Sequence, residues 1–399
     1  ILSKKIEDKG YTYDIDNNIL RDIVYEKINS NEKIEKHRIA AKILEKEKGI
    51  NDNFDELIFH LEKATLKEKA KKYCIENAKK MRALKNIKSE IDNYKKAFSM
   101  VENRNLNEET ELLIKIGSLY FETGNIQLAA NFFNKAEKLA KISNNHKHLV
   151  NIYIYMAQIM NMQSKHEKAI EYLDKAEELL EDFEYLEASL EIKRIRTILL
   201  ISKNLFDEAT KSCLEIIKEC GDDFVQIKGN TYRLLAYMYT YNNKLEEAIL
   251  LYEKSIKLFE TIDYSRGILI ALNNIGCIYN DYYQDLEKAL KYFTQVKDLS
   301  QEYGLLSSEI LGLINVAVIY YARYDYILAY EHYKLALEKA LKANLKNEVF
   351  FLYNNLTMLC IDMQNYSEAF HYYKLAEKEL EDSLNQGIDI VAFYDTSAY

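Results

Sequence analysis

Residues 112–136 read LLIKIGSLYFETGNIQLAANFFNKA, and the order of small and bulky side chains in this stretch decides the fold. Gly117 and Tyr120 stand three residues apart on one helical face. Beyond the polar pair Gly124-Asn125, the residues Ala129, Phe133 and Ala136 share another face at spacings of four and three. The stretch therefore predicts two helices reversed by a tight turn, and the small residue on each lets their axes approach to about 8 to 10 Å.

The pattern recurs along the chain. Ala129 is followed by Ala169, Ala209, Ala248, Ala289, Ala329 and Ala369, at intervals of 40, 40, 39, 41, 40 and 40 residues. Four residues after each alanine stands Phe133, Leu173, Cys213, Tyr252, Phe293, Tyr333 or Tyr373, and seven after it Ala136, Ala176, Ile216, Ser255, Val296, Ala336 or Ala376. Twelve or thirteen residues upstream lies a mostly small residue (Gly117, Ala157, Thr197, Ala236, Gly276, Ala317, Thr357), usually with a bulky one three further on (Tyr120, Met160, Leu200, Tyr239, Tyr279, Tyr320). Polar pairs such as Ser164-Lys165, Lys203-Asn204, Asn242-Asn243 and Gln364-Asn365 sit where the chain must reverse, and one unit carries an extra residue near Tyr282–Asp285. A fixed period of this length means a stack of like units, each buried against its neighbours.

These residues, Gly117, Tyr120, Ala129, Phe133 and Ala136 above all, resemble the signature of the tetratricopeptide repeat family, and the likeness extends over about residues 110–380. The period is near 40 where that family usually has about 34, and no proline closes a unit. The resemblance implies an all-α fold, a right-handed superhelical solenoid of antiparallel helix pairs, with about eight hairpins over 61–382, a short helical segment over 1–60 and a tail or the start of a further module over 383–399. Longer hairpins of this kind are similar to those of bacterial peptide-sensing regulators and of the sensor arms of large signal-transduction ATPases. Near the start, Ile19, Leu20, Ile23, Val24 and Ile28, then Ile34, His37, Ile39, Ala40, Ile43 and Leu44, have helical spacing. The run Leu20–Tyr25, with Lys36–Ala40 and Ile43–Glu45, resembles the end of the winged-helix region in such ATPases, and Phe59, His60, Ala64, Ala70, Tyr73 and Ala78 resemble the first hairpin after it.

Composition sets bounds on function. The net charge is −9, without a long single-sign tail, which disfavours nonspecific binding to nucleic acid or anionic membrane. The basic stretch Lys67–Lys88 reads as a solvated helix face. There is no proline at all, so nothing interrupts a helix. No apolar run is long enough for a membrane helix and no secretory pattern opens the chain, so a cytoplasmic location is expected. Cys74, Cys213, Cys220, Cys277 and Cys360 mostly fall at apolar helix positions and read as small core residues in a reducing compartment. The start at Ile1 and the end at Tyr399 suggest a fragment of something longer.

No phosphate-cradling G-x-x-x-x-G-K-[ST] loop, no His-Glu-x-x-His run and no Gly-x-Ser-x-Gly elbow occurs. His146 and His148 flank Lys147 in an expected hairpin connection, away from any further ligand. No enzyme activity, cofactor or metal is expected. A partner is expected instead on the concave face, which the first helix of each hairpin lines with residues three and six before the small position and one and four after it. Those positions hold Glu191, Arg194, Asn230, Arg233, Tyr237, Thr240, Asn273, Asn280 and Asn354, with apolar Ile198, Ile201, Ile314, Val318, Phe351 and Met358. Carboxamides can satisfy the paired N–H and C=O groups of an extended peptide, and arginine can grip a carboxylate with two bonds. Arg194, Asn230, Arg233, Tyr237, Asn273 and Asn354 are thus the candidate peptide-binding residues, while Asn274, Asn315 and Asn355 share a register suited to bonds between helices. The expected function is a non-catalytic protein- or peptide-binding scaffold, the sensor arm of a larger bacterial signalling ATPase. The alternatives are a peptide-sensing transcription regulator whose DNA-binding domain lies elsewhere, and the regulatory array of an enzyme whose catalytic domain lies beyond this sequence.

Overall fold

The computed structural model describes residues 2–7, 10–15, 25–46, 54–101 and 105–385. Two compact units are present, Ile1–Leu84 with Lys88–Leu112, and Lys85–Ile87 with Leu113–Tyr399.

The first unit opens with strands, where the sequence pattern suggested only helices. β1 (Leu2–Glu7) and β2 (Gly10–Ile15) form an antiparallel ribbon, with Leu2 opposite Ile15 and Glu7 opposite Gly10. The physical reason is composition: Tyr11, Thr12, Tyr13 and Ile15 favour extended backbone over helix. Ile19, Leu20, Ile23 and Val24, and with them most of the ATPase-like run, lie outside the described residues. Helix α1 (Ser30–Lys46) follows, its first turn capped by Asn29 Oδ1, which accepts from the Glu32 N–H at 2.8 Å. Then come α2 (Phe54–Lys63), α3 (Lys67–Ala83) and α4 (Ile87–Ser99). Leu57, Ile58 and Leu61 of α2 are buried together with Ala70, Cys74 and Ala78 of α3. Lys67, Lys69, Lys72, Lys79 and Lys88 are solvated as expected, but Lys71 is not. Its ammonium is buried between Glu68 at 2.7 Å and Glu108 at 2.6 Å.

From α5 onward the chain is a run of helical hairpins: α5 (Leu106–Glu122) with α6 (Ile126–Ile142), α7 (His146–Met162) with α8 (His166–Leu180), α9 (Leu186–Ser202) with α10 (Phe206–Cys220), and α11 (Val225–Tyr241) with α12 (Leu245–Glu260). α13 (Ser265–Asp281) with α14 (Leu286–Glu302), α15 (Leu306–Ala322) with α16 (Tyr326–Lys342), and α17 (Lys346–Asp362) with α18 (Tyr366–Asn385) complete it. The spacing logic holds at atomic level. Six of the seven period-setting alanines are wholly inaccessible and Ala369 is 5% exposed. Gly117 and Gly276 abut the aromatic residue of the partner helix so closely that a Cβ would stand 2.9 Å from Phe133 and 2.6 Å from Phe293. Each turn within a hairpin contains one left-handed residue, among them Gly124, Ser164, Asn204, Asn243, Gln284 and Gln364. That conformation lets the next N–H reach back over the helix end, as when Asn125 donates to the Tyr120 carbonyl at 2.8 Å. In the unit with the extra residue, Asp285 reaches back one residue further, to the Tyr279 carbonyl at 2.8 Å.

The sequence reading has the bulky residue three after each small one filling the grooves between hairpins, and the structure corrects this. Tyr120, Met160, Leu200, Tyr239, Tyr279 and Tyr320 are only half-buried, and the fully packed position is one residue earlier (Leu119, Ile159, Leu199, Met238, Ile278, Ile319). The bulky residue instead lies over its own hairpin partner, Tyr120 on Phe132 and Tyr279 on Tyr292. Tyr252 and Tyr333 are core, but Tyr373 is 48% exposed, and its neighbour Tyr372, 4% exposed, takes the buried position in α18. His146 and His148 lie in the first turn of α7, not in a loop, where Asn145 Oδ1 caps the His148 N–H at 3.0 Å.

The second unit also touches itself at long range. Arg266, in the first turn of α13, donates from Nη1 to the Phe121 carbonyl at 2.5 Å, and its guanidinium lies 5.0 Å from the centre of the Phe121 ring. Gly124 sits against Ser307 Oγ, near the start of α15. Hairpins separated by three and four others are thereby joined.

Candidate functional site

The first helices α9, α11 and α13 present a polar cluster on the inner register. Arg194, Asn230 and Arg233 are 5%, 5% and 8% exposed, so three residues expected in an open groove are in fact deeply set. Glu191, one turn before Arg194, accepts two bonds from its guanidinium, at 2.5 Å from Nε and 3.0 Å from Nη2. Burial works against the charge of Arg194, but Glu191 outweighs it and holds the group above its ordinary value. Arg233 has different surroundings. It donates to Asn230 Oδ1 at 3.4 Å, and burial pulls its pKa down to about 10. Tyr264 and Tyr252 favour its charged form, while the positive charges of Arg194 and Arg266 oppose it.

Tyr155 belongs to the same neighbourhood. Its ring stacks on Phe133 at 4.7 Å and meets Phe121 edge-on at 5.9 Å. Burial first, then the charges of Glu191, Tyr264 and Glu122, hold its phenol above the usual range. Arg266, Tyr264 and Tyr155 were not among the sequence candidates. Arg266 had a findable signal: ten residues before Gly276, it continues the inward stripe one turn past the positions considered. The involvement of Tyr264 and Tyr155 depends on tertiary packing.

The other candidates lie elsewhere on the inner register. Asn273 accepts from Asn315 Nδ2 at 2.7 Å, joining α13 to α15, and Asn274 donates to Tyr252 Oη at 3.2 Å, joining α13 to α12. Asn354 donates to its own helix, at the Phe350 carbonyl, 3.1 Å away, and remains half-buried. Tyr237 is half-buried against the apolar cluster of Ile201, Cys213 and Leu234. Of the apolar inward residues, Ile198, Ile201 and Ile314 are buried and Met358 is 57% exposed.

Other chemistry is limited. Among the described residues no group of three or more His, Cys, Asp or Glu is placed to hold a metal ion, and no helix is long and apolar enough to cross a membrane. Burial pushes the thiols of Cys74, Cys213 and Cys277 up to about 12, and those of Cys220 and Cys360 to about 11, which keeps them protonated and unreactive near neutrality. In the first unit His37 Nδ1 lies 2.7 Å from His60 Nδ1 and its Nε2 2.8 Å from Tyr25 Oη, a pairing that residues 23 apart in sequence gave no reason to expect.

Comparison with known proteins bears on the fold. The family model for the tetratricopeptide repeat matches residues 108–182. The chain is similar to the Rap conjugation gene regulator of plasmid pLS20 in complex with the Phr* peptide, at 16% identity over 83% of this chain and 96% of that one, with a TM-score of 0.54. It is also similar to a Rap protein complexed with competence and sporulation factor, at 18% identity over 81% and 90%, with a TM-score of 0.51. A signal transduction ATPase with numerous domains and a tetratricopeptide repeat sensor, from Pyrococcus horikoshii, aligns at 18% identity over 97% of this chain, with a TM-score of 0.47. This chain spans 58% of that ATPase's length. No curated protein sequence matches. Residues 108–182 are tetratricopeptide repeat, and the hairpins that continue them from α5 to α18 form an all-α solenoid with the fold of tetratricopeptide repeat proteins.

Proposed function

We propose that this chain is a non-catalytic scaffold that binds an extended peptide segment along the inner face of α9, α11 and α13. The observation that carries this reading is the placement of Arg194, Asn230 and Arg233, strongly polar side chains at no more than 8% exposure where a purely structural face would hold apolar ones. The ladder from Asn315 to Asn273 adds carboxamides in line with them, groups able to exchange their mutual bond for bonds to a peptide backbone. One Rap protein of the same fold has been solved in complex with the Phr* peptide and another with competence and sporulation factor, which supports a peptide as the class of ligand. Hydrogen exchange of the full chain with and without a random hexapeptide pool tests the proposal. Protection concentrated in α9, α11 and α13 is expected, and protection confined to the second helices of the hairpins would overturn it.

The chain further acts, in this reading, as the cytoplasmic sensor arm of a larger bacterial signalling protein. The winged-helix-like run near Leu20–Ala40 and the β1–β2 ribbon ahead of α1 support that placement. Sequencing the flanking reading frame tests it: a phosphate-binding loop upstream is expected, and a helix-turn-helix there would instead make the chain a transcription regulator.

A further inference from the structure

The turns inside the last three hairpins stand side by side. Arg323, just past the end of α15, pairs with Glu287 in the first turn of α14 at 3.0 Å, and the Tyr321 hydroxyl donates to the Asp362 carboxylate at the end of α17. Large apolar side chains line the edge so formed. Ile327, Tyr366 and Phe370 are between 63% and 71% exposed, Tyr324 is 78% exposed, and the hairpin with the extra residue brings out Tyr282 and Tyr283 as well. The corresponding residues of the first three hairpins, 123–126, 163–166 and 203–206, include no exposed aromatic side chain. A contiguous apolar surface open to water marks a contact with another molecule. Tyr324 gives a second sign. It stands at φ 65°, the left-handed position that Gly124, Ser164, Asn204, Asn243, Gln284 and Gln364 fill in the other hairpins, and no other described left-handed residue is aromatic. A bulky side chain is disfavoured in that conformation, so the ring is kept there against the preference of the backbone.

Charge decides what kind of partner fits. The basic groups of these turns are engaged, Lys288 with Asp285 at 3.1 Å and Arg323 with Glu287. The carboxylates of Asp281, Asp362 and Glu368 accept from neutral donors, Asn280, Tyr321 and Tyr330 among them, and Asp325 is exposed next to Tyr324. The ring faces here already take cations: Lys288 lies 4.9 Å from the centre of the Tyr279 ring and Lys374 5.8 Å from that of Phe370. We infer that the edge formed by the turns of α13–α14, α15–α16 and α17–α18 is a docking surface for a segment of another protein that carries lysine or arginine between apolar side chains. The apolar side chains of that segment cover Tyr324, Ile327 and Tyr366, and its cations meet Asp325, Asp362 and the ring faces. A second copy of this chain fits poorly, because the same edge on both partners would set carboxylate against carboxylate. The surface is separate from the inner face of α9, α11 and α13, and it does not depend on the peptide-binding reading above.

The test uses the full chain and three labelled dodecapeptides of alternating sequence, Arg-Leu, Glu-Leu and Arg-Ser, followed by fluorescence anisotropy. The Arg-Leu peptide is expected to bind about tenfold or more tightly than either of the others. Tyr324→Asn and Tyr366→Ser should each weaken it several-fold, whereas Leu250→Ser, at an exposed apolar position away from this edge, should not. Asp325→Asn combined with Asp362→Asn should weaken it and flatten its dependence on salt. Asparagine suits the left-handed position, so Tyr324→Asn should melt no lower than the parent chain while binding less. A lower melting temperature would assign Tyr324 to the fold and overturn the proposal. So would an Arg-Leu peptide that binds no better than the other two, or binding that is unchanged in Tyr324→Asn and Tyr366→Ser. Sedimentation of the unliganded chain supplies the remaining outcome: a dimer abolished by those two substitutions would make a second copy the occupant and refute a basic partner.

Discussion

Arg233→Met should make the unliganded protein more stable. In the folded chain the guanidinium is held at about 10, and at about 1.4 kcal/mol per tenfold in proton affinity that depression corresponds to about 3 kcal/mol against the charged form. The group is 8% exposed, so little of this is lost to screening by water. Methionine keeps most of the side chain's apolar length and removes the charge, at the loss of its polar contacts, among them the bond to Asn230, worth about 0.5 to 1.5 kcal/mol. The net expectation is a gain of about 1 to 3 kcal/mol, in line with the replacement of other buried ions by apolar side chains of similar size. Urea unfolding followed by circular dichroism reads this directly, provided the slope with denaturant is unchanged. A loss of more than about 1 kcal/mol would refute the reasoning, since it would mean that the folded chain already satisfies the charge. A gain in stability coupled to a loss of peptide retention would be the signature of a group kept for binding.

Four further outcomes are expected. Ala248→Phe forces a ring into a contact with no free space and should cost about 1 to 3 kcal/mol, with faster amide exchange in α11 to α13; unchanged melting would contradict the assigned register. Gly276→Ala places a Cβ 2.6 Å from the Phe293 ring and should destabilise the fifth hairpin, while Gly276→Ala with Phe293→Leu should recover most of the loss; absence of recovery would place the cause elsewhere. His37 is held below its ordinary value by burial, then by the charges of His60 and Lys63, so the unfolded chain takes up the proton first as pH falls. The stability it contributes is complete above about 6.5 and declines below that, and His37→Phe should flatten the melting temperature of the first unit between pH 7.5 and 5.5; an equally steep fall in the variant would acquit His37. Arg266→Ala should raise amide exchange at the end of α5, 145 residues away, and exchange raised only within α13 would show that the contact carries no stability.

The hairpins were legible because their signal is local. Small residues at Gly117 and Ala129, a polar reversal at Gly124-Asn125 and a partner aromatic at Phe133 lie within seventeen residues, and the same arrangement returns every forty or so. The inner polar residues were legible as a register that groups Arg194, Asn230 and Arg233, but their depth was not. Depth depends on how successive hairpins pack, which no single unit encodes. Tyr264 and Tyr155 join the cluster only through tertiary packing, and the pairing of His37 with His60 depends on how α1 meets α2. Tyr373 shows the converse error, since the residue one before it, Tyr372, is the one that packs. The β1–β2 ribbon lies ahead of the helically spaced residues that begin at Ile19, and its own strand signals, Gly10 and the Tyr-Thr-Tyr run beyond it, are short.

The bond from Arg266 to Phe121 and the seat of Gly124 against Ser307 have a consequence for how such a molecule can evolve. An open stack tolerates the gain or loss of a module, since every junction resembles the next. Here deleting any one hairpin between α7 and α12 would carry Arg266 a full step out of reach of its carbonyl and bring an unrelated side chain opposite Gly124. The number of modules in that span is therefore fixed by a buckle, and lineages that lengthen or shorten the array would have to do so outside it, before α5 or from α17 onward.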